Sequence, residues 1–141
     1  MDLLPRGAWN NNLSKTLPQK DWDSLRQAAY ERAEYKCVIC GAGNGQLEAH
    51  EVWEFNADEK TQKLIDIIAI CKNCHLVKHF RHTKMIGGEE YAKKHFMRIN
   101  QCDEQTFIEH YHEAENRFNE LSKIESWTLD TSELNNLGGK I

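Results

Sequence analysis

The sequence predicts an α+β fold in which two strands and a following helix form the centre, with one helix before them and two after. Three observations lead to this prediction. Two Cys-x2-Cys pairs stand thirty residues apart, apolar runs of strand length lie between them, and helical apolar stripes lie on either side. With 40% hydrophobic residues, the 141-residue chain supports one modest core, which a bound metal would help to hold.

The N-terminal region divides into a tail and a helix. Residues 1–17 show no periodicity, and we predict an irregular tail there. A helix is predicted from about Asp21 to Tyr35, because Trp22, Leu25 and Ala29 recur at helical spacing.

The centre of the fold is predicted between residues 36 and 86. The segment LEAHEVWEF, residues 47–55, is a first strand, and LIDIIAI, residues 64–70, is a second. A helix opens with CKNCHLVKHFRHTKM and ends at the glycine pair of IGG. Together with the helix before it, this region forms a predicted domain over residues 18–86.

A helical arm is predicted over residues 87–126, followed by a C-terminal tail over residues 127–141. The arm has one helix in GEEYAKKHFMRIN and a second after Asp103. The second carries an apolar stripe: Phe107, Tyr111, Ala114, Phe118 and Leu121. This stripe either packs back onto the domain or pairs residues 103–126 with a second subunit or a partner protein.

The two cysteine pairs predict a structural zinc site. Cys37, Cys40, Cys71 and Cys74 can supply four thiolates from two tight turns and close a tetrahedron around Zn²⁺. A redox Cys-x2-Cys would need no second copy. Cys102 remains, and we interpret it as a small, partly buried residue.

Charge is unevenly distributed along the chain. The net charge is −4, yet residues 71–98 hold seven Lys and Arg residues against two Glu. Phosphate is the anion that such a patch would attract, although a solvated helix face is the simpler interpretation. No apolar stretch approaches a membrane span and no signal-peptide pattern is present, so we expect a cytoplasmic protein with no membrane partner.

Two histidines follow the second cysteine pair directly. His75 and His79 are four residues apart and would lie on one face of a helix, where they can hold a second cation. A third ligand can come from the first strand, and His50 in LEAHEV is the candidate.

The pattern C-x2-CG, LEAHEV and LIDIIAIC-x2-CH-x2-KH, over about residues 36–80, resembles the HNH endonuclease family. This family is also called ββα-metal or His-Me finger, and the resemblance is to its zinc-knuckle members from bacteria and phages. It implies a ββα-metal core and metal-dependent hydrolysis of phosphodiester bonds in DNA, with RNA not excluded. Mg²⁺, Mn²⁺, Ni²⁺ and Zn²⁺ are all candidate catalytic cations.

The family motif, L-E-x-[DH]-H-[IV], fits the first strand in two registers. The preferred register places His50 at the metal-ligand position and Glu51 at the position of the general base, which is usually His. Shifting by one residue makes His50 the base, and Glu51 or Asp66 would then supply an acidic ligand. The identity of the base therefore stays open.

The rest of the motif falls on the second strand and its helix. Asp66 stands where the family has Asn and would orient the base. His75 matches the final His, and His79 matches an extra ligand of colicin-type members. On the same helix, Lys78, Arg81 and Lys84 would contact phosphates flanking the scissile bond.

Two other functions compete with the nuclease. The replaced base His suggests a catalytically decayed, zinc-stabilised nucleic-acid-binding or adaptor protein, whereas survival of three imidazole ligands favours the enzyme. The acidic C-terminal helix suggests a protein-interaction module. We interpret four histidines as structural or surface residues and draw no functional inference from the tryptophans near the termini. These residues are His82, His95, His110, His112, Trp9 and Trp127.

Overall fold

The computed structural model describes residues 1–43 and 45–138. Within these residues the α+β class is confirmed, with six α-helices and one three-stranded sheet. The elements in chain order are α1 (Leu13–Thr16), α2 (Gln19–Arg32), β1 (Leu47–Asn56), β2 (Thr61–Cys71), α3 (Lys72–Lys78), α4 (Phe80–Met85), α5 (Glu89–Asn100), α6 (Glu104–Leu121) and β3 (Thr128–Asp130).

The two predicted strands form a long antiparallel hairpin. Its register runs from Leu47 opposite Cys71 to Asn56 opposite Thr61. The register shifts between Val52 and Trp53, so that β2 carries one extra residue there. Because side chains alternate between the two faces of a strand, consecutive side chains of β1 leave the backbone on opposite sides of the sheet.

One face of the hairpin packs on α2. Trp22, Leu25 and Ala29 are buried as the helical stripe predicts, and they contact Leu64 and Ile67 of β2. The helix ends at Arg32, three residues earlier than predicted. Glu34 and Tyr35 follow it with positive φ angles of 55° and 59°, which an α-helix does not accept.

The other face carries the cysteine cluster and the C-terminal helices. Ile70 is buried with Cys37 and Cys74, while Phe80 of α4 packs against Phe107 of α6 with ring centroids 5.2 Å apart. The stripe of α6 therefore packs back onto the domain, since Phe107, Phe118 and Leu121 are buried there. The pairing of residues 103–126 with a second subunit or a partner protein stays a prediction.

The single helix predicted over residues 71–85 is broken at His79. This residue has φ −100° and ψ 45°, so α3 ends before it and α4 begins at Phe80. The break changes the direction of the chain between two consecutive residues with different environments. Phe80 is fully buried among aromatic rings, whereas His79 lies beside His50 and His75.

The segment predicted as an irregular N-terminal tail is folded onto the domain. It forms a 3-10 turn at Arg6–Ala8 and the helix α1, and it buries Pro5, Ala8 and Leu13. Leu13 joins the core between α2 and the sheet. Both elements are about one turn long, which is too short for apolar residues to recur at helical spacing, so the sequence pattern did not predict them.

The predicted C-terminal tail also contributes to the fold. Thr128–Asp130 adds β3 in parallel to residues 61–63 of β2, and buried Trp127 packs on Phe55 with ring centroids 5.0 Å apart. Residues 139–141 of that predicted tail lie outside the described residues. In the part of the chain that is described, no helix is both long and apolar enough to span a membrane.

Candidate functional site

The four predicted zinc ligands meet in space. Cys37, Cys40, Cys71 and Cys74 place their sulfur atoms within 4.8 Å of one another, and none forms a disulfide. The sulfurs of Cys40 and Cys71 are 3.6 Å apart. Four cysteines this close can hold a zinc ion in a closed tetrahedral site.

Backbone amides in both turns point at sulfur. The Cys40 amide donates to Cys37 Sγ at 3.5 Å, and the Cys74 amide donates to Cys71 Sγ at 3.4 Å. Burial raises the pKa of Cys37, but hydrogen bonds from the backbone amides of Cys40, Cys71 and Ile39 outweigh it and bring that pKa to about 7. Burial and the other cysteines raise the pKa of Cys74. A divalent cation would offset that repulsion, because it binds all four sulfurs as thiolates.

A buried histidine supports this centre from α5. His95 Nε2 lies 3.2 Å from Cys74 Sγ, and Arg98 Nη2 lies 2.9 Å from His95 Nδ1. Since a guanidinium can only donate, His95 Nδ1 must accept and its proton must be on Nε2. His95 therefore donates a hydrogen bond to the Cys74 sulfur, a role that no local motif indicated.

Three histidines form the second cluster. His50 comes from β1, His75 from α3 and His79 from the break between α3 and α4. One ring nitrogen from each lies within 4.8 Å of the others, and the ring centroids are 4.7 to 5.3 Å apart. Burial lowers the pKa of His50 and brings that of His79 to about 3, which keeps both rings in the neutral form that binds metals.

Carboxylates hold two of these three rings. Asp2 Oδ2 lies 2.7 Å from His50 Nε2, and Glu48 Oε1 lies 2.7 Å from His75 Nδ1. Each carboxylate accepts the N–H of its ring, which leaves the lone pair of the other ring nitrogen free for a cation. Carboxylate–imidazole pairs of this kind orient metal ligands and raise their basicity.

Asp2 is ionised in this arrangement. Burial raises its pKa, but the hydrogen bond from His50 and the ammonium group of Lys78 more than offset that and bring it to about 2. Lys78 Nζ lies 3.6 Å from Asp2 Oδ2. Asp2 thus contacts both His50 on β1 and Lys78 at the end of α3.

Glu51 lines the same cavity as the three histidines, which has a volume of about 260 Å³. Its Oε1 accepts hydrogen bonds from the Leu13 amide at 3.0 Å and from the Trp53 indole at 3.1 Å. Burial raises the pKa of this carboxyl. In the described residues, Oε2 receives no hydrogen bond from the protein, so this oxygen remains for a ligand.

The structure does not join Asp66 to this set. It pairs with Val52 in the hairpin, and its Oδ1 accepts from the Ile67 amide at 2.8 Å. Across the described residues, no hydrogen bond connects it to His50 or Glu51. The groups that contact the histidines are Asp2 and Glu48 instead.

Of the three predicted phosphate-contacting residues, Lys78 ends α3 between His75 and His79, and Arg81 and Lys84 lie on α4. Lys78 is engaged with Asp2, while the Arg81 guanidinium carbon lies 4.2 Å from the centre of the Phe118 ring. Lys84 Nζ lies 5.5 Å from the centre of the Tyr111 ring and is exposed. Lys78 and Arg81 thus lie next to the histidine cluster, whereas Lys84 is placed only by its contact with Tyr111.

Sequence reasoning missed the two carboxylates for different reasons. Glu48 lies two residues before His50, so strand alternation places both on one face, and that signal was available. Asp2 lies in an aperiodic segment with nothing to indicate its partner.

No family model matches the chain, and no curated protein or solved structure matches it. What supports a function is therefore the site itself: a cysteine cluster that can hold zinc, and three histidines that share a cavity with the partly buried carboxyl group of Glu51.

Proposed function

We propose that this protein is a metal-dependent endonuclease of HNH, or ββα-metal, type that hydrolyses phosphodiester bonds in DNA. One observation carries the proposal. His50, His75 and His79 converge within 4.8 Å on the cavity that Glu51 also lines. Three nitrogen ligands can hold a catalytic cation, and a partly buried carboxyl group in the same cavity can serve as a general base.

The donor set fits a divalent cation. Three imidazoles leave coordination positions open, and Asp2 and Glu48 hold two of the rings from outside. Such nitrogen ligands accept Zn²⁺, Ni²⁺ or Mn²⁺ more readily than Mg²⁺. A cation held there would polarise the phosphodiester and stabilise charge on the leaving oxygen.

Glu51 is the favoured general base. Two donors on Oε1 fix its carboxyl group, and Oε2 can accept a proton from an attacking water. His50 suits that role less well, because its ring belongs to the histidine cluster and a cation held there would occupy its free lone pair. The geometry thus favours the register in which His50 is a ligand, and Asp66 has no part in this proposal.

Substrate binding would use the basic side of the cluster. Lys78, Arg81 and Lys84 lie on α3 and α4, and phosphate contacts from such residues position a nucleic acid without reading its sequence. These contacts support a nucleic acid as the substrate; the choice of DNA rests on the resemblance to HNH endonucleases, with RNA as the related alternative.

The test is nicking of supercoiled plasmid with added Mg²⁺, Mn²⁺ or Ni²⁺. We expect the wild type to nick, His75→Ala to lose nicking, and Glu51→Gln to reduce it by about 100-fold or more, as expected for loss of a general base. His112→Ala, on the exposed face of α6, is the matched histidine control and should nick like the wild type. Equal nicking by wild type and His75→Ala would contradict the proposal.

A zinc-stabilised DNA-binding or adaptor scaffold is the second candidate, and one observation favours it. The contacts of Glu51 Oε1 with Leu13 and Trp53 tie α1 to β1, which is what a purely structural carboxylate would do. In that case no metal would support nicking by the folded, zinc-bound protein. Plasmid would still bind, and Glu51→Gln would lower thermal stability alone.

A further inference from the structure

A second cavity adjoins the histidine cluster. It has a volume of about 420 Å³, and Leu4, Trp9 and His79 line both this cavity and the smaller one that contains Glu51. The two cavities are thus adjoining parts of one cleft. A chain-like ligand whose reacting group is at the histidines would extend into the larger cavity.

Trp9 lines this cleft with a large aromatic side chain. Its side chain is 52% exposed, and its indole N–H donates to the Leu4 carbonyl at 2.9 Å. The hydrogen bond holds the ring and uses its one polar group, so the exposed part of the ring offers a ligand apolar, aromatic contact. Met85, which is 78% exposed, lies on the same cavity and adds a second apolar, adaptable surface.

The groups around the cavity favour a ligand that carries both a negative charge and a flat ring. Arg81 lines it, and within the described residues no carboxylate forms an ion pair with this guanidinium. The Phe118 ring packs against Arg81, and the guanidinium carbon of Arg6 lies 5.2 Å from the centre of the same ring. The one acidic residue of the cavity, Asp2, is engaged by His50 and Lys78.

We propose that this cavity binds the unpaired base of the nucleotide next to the scissile phosphate, stacked on Trp9, with Arg81 at the neighbouring phosphate. The inference rests on the proposed function, which makes the ligand a nucleic acid. A base inside a duplex has both faces covered by its neighbours and cannot stack on a side chain. The preferred substrate is therefore a single strand, or a duplex whose ends or junctions expose unpaired bases.

The test is binding of a fluorescein-labelled oligothymidylate of about ten nucleotides, a length in the range that single-strand sites cover. Anisotropy is measured on the zinc-bound protein without further divalent cation, beside a blunt duplex of equal length. Loss of one base stack predicts that Trp9→Ala weakens single-strand binding by about 5- to 100-fold, with a smaller effect on the duplex. Trp9→Phe should retain most of the affinity. Tyr91→Ala removes a similarly exposed ring on α5, at 59% exposure, and should bind like the wild type.

Indole fluorescence gives a second measurement that does not depend on the alanine variant. The oligonucleotide should quench emission of the wild type, and Trp9→Phe should lose most of that quenching. The subsite is overturned if Trp9→Ala binds the single strand as tightly as the wild type does. An equal loss for single strand and duplex would also overturn it.

The nicking assay separates the two proposals. If the wild type nicks plasmid with His75 dependence while Trp9→Ala has wild-type affinity, the nuclease stands and the subsite is wrong. If no metal supports nicking but Trp9-dependent single-strand binding remains, the subsite stands as a nucleic-acid-binding site without cleavage.

Discussion

Glu48 Oε1 lies 2.7 Å from Nδ1 of His75, so a carboxylate on the first strand fixes the ring of a histidine on the helix that follows the second strand. This contact joins two elements whose mutual position decides whether three imidazoles can meet. It also selects the tautomer in which His75 Nε2 is free to bind a cation. The pair is the basis of the first prediction.

Glu48→Ala should weaken binding of a cation to the histidine cluster by about 10- to 100-fold, the effect usually seen when such a carboxylate is removed from a metal-binding histidine. The measurement is calorimetric titration of Ni²⁺ into protein whose cysteine site already holds zinc. Glu54→Ala, an exposed glutamate on the same strand, is the matched control. Unchanged Ni²⁺ affinity in Glu48→Ala would show that the contact does not position His75.

Removal of one zinc ligand should destabilise the whole domain. Cys74 is buried beside Ile70 and Cys37, so Cys74→Ser leaves a polar group there and opens the tetrahedron. We expect at least one zinc per chain in the wild type by elemental analysis, and a clear drop in melting temperature with Cys74→Ser or a strong chelator. Cys102→Ser, outside the cluster, should keep the zinc. Retention of both zinc and melting temperature by Cys74→Ser would rule out this centre.

His95→Phe should loosen zinc without removing it. The substitution retains a ring but loses the hydrogen bond that His95 Nε2 donates to Cys74 Sγ at 3.2 Å. Hydrogen bonds to charged groups contribute about 1.5–3 kcal/mol, which corresponds to roughly 10- to 100-fold in zinc affinity. Transfer of zinc to a chromophoric chelator measures this, with His112→Phe as the exposed control. Identical transfer curves for the two variants would contradict the assigned hydrogen bond.

Leu25→Ala should cost about 2–5 kcal/mol of the free energy of unfolding, because a fully buried leucine between α2 and the sheet is replaced by a cavity. Urea unfolding of the zinc-bound protein measures the loss. Ile86→Ala, at a position 63% exposed after α4, should change stability by less than about 0.5 kcal/mol. A similar small change for Leu25→Ala would mean that α2 does not pack on the sheet as described.

The parts of this protein that the sequence by itself determined are those with short-range signals. The spacing within each cysteine pair predicts a metal turn, and the stripe of Trp22, Leu25 and Ala29 predicts the buried face of α2. The strands LEAHEVWEF and LIDIIAI follow from short runs with turn residues between them. Each of these features depends on residues within about one turn or one pleat of each other, where local geometry has few alternatives.

Only the tertiary structure decided what surrounds the histidines. Asp2 reaches His50 across 48 residues, and His95 reaches Cys74 across 21, distances over which no periodicity carries information. The break at His79 is equally a tertiary outcome, since it separates a buried phenylalanine from a site histidine within a segment whose pattern predicts one helix. These contacts form when distant segments pack on the small sheet. Buried polar groups need hydrogen-bond partners, and segments far apart in sequence supply them.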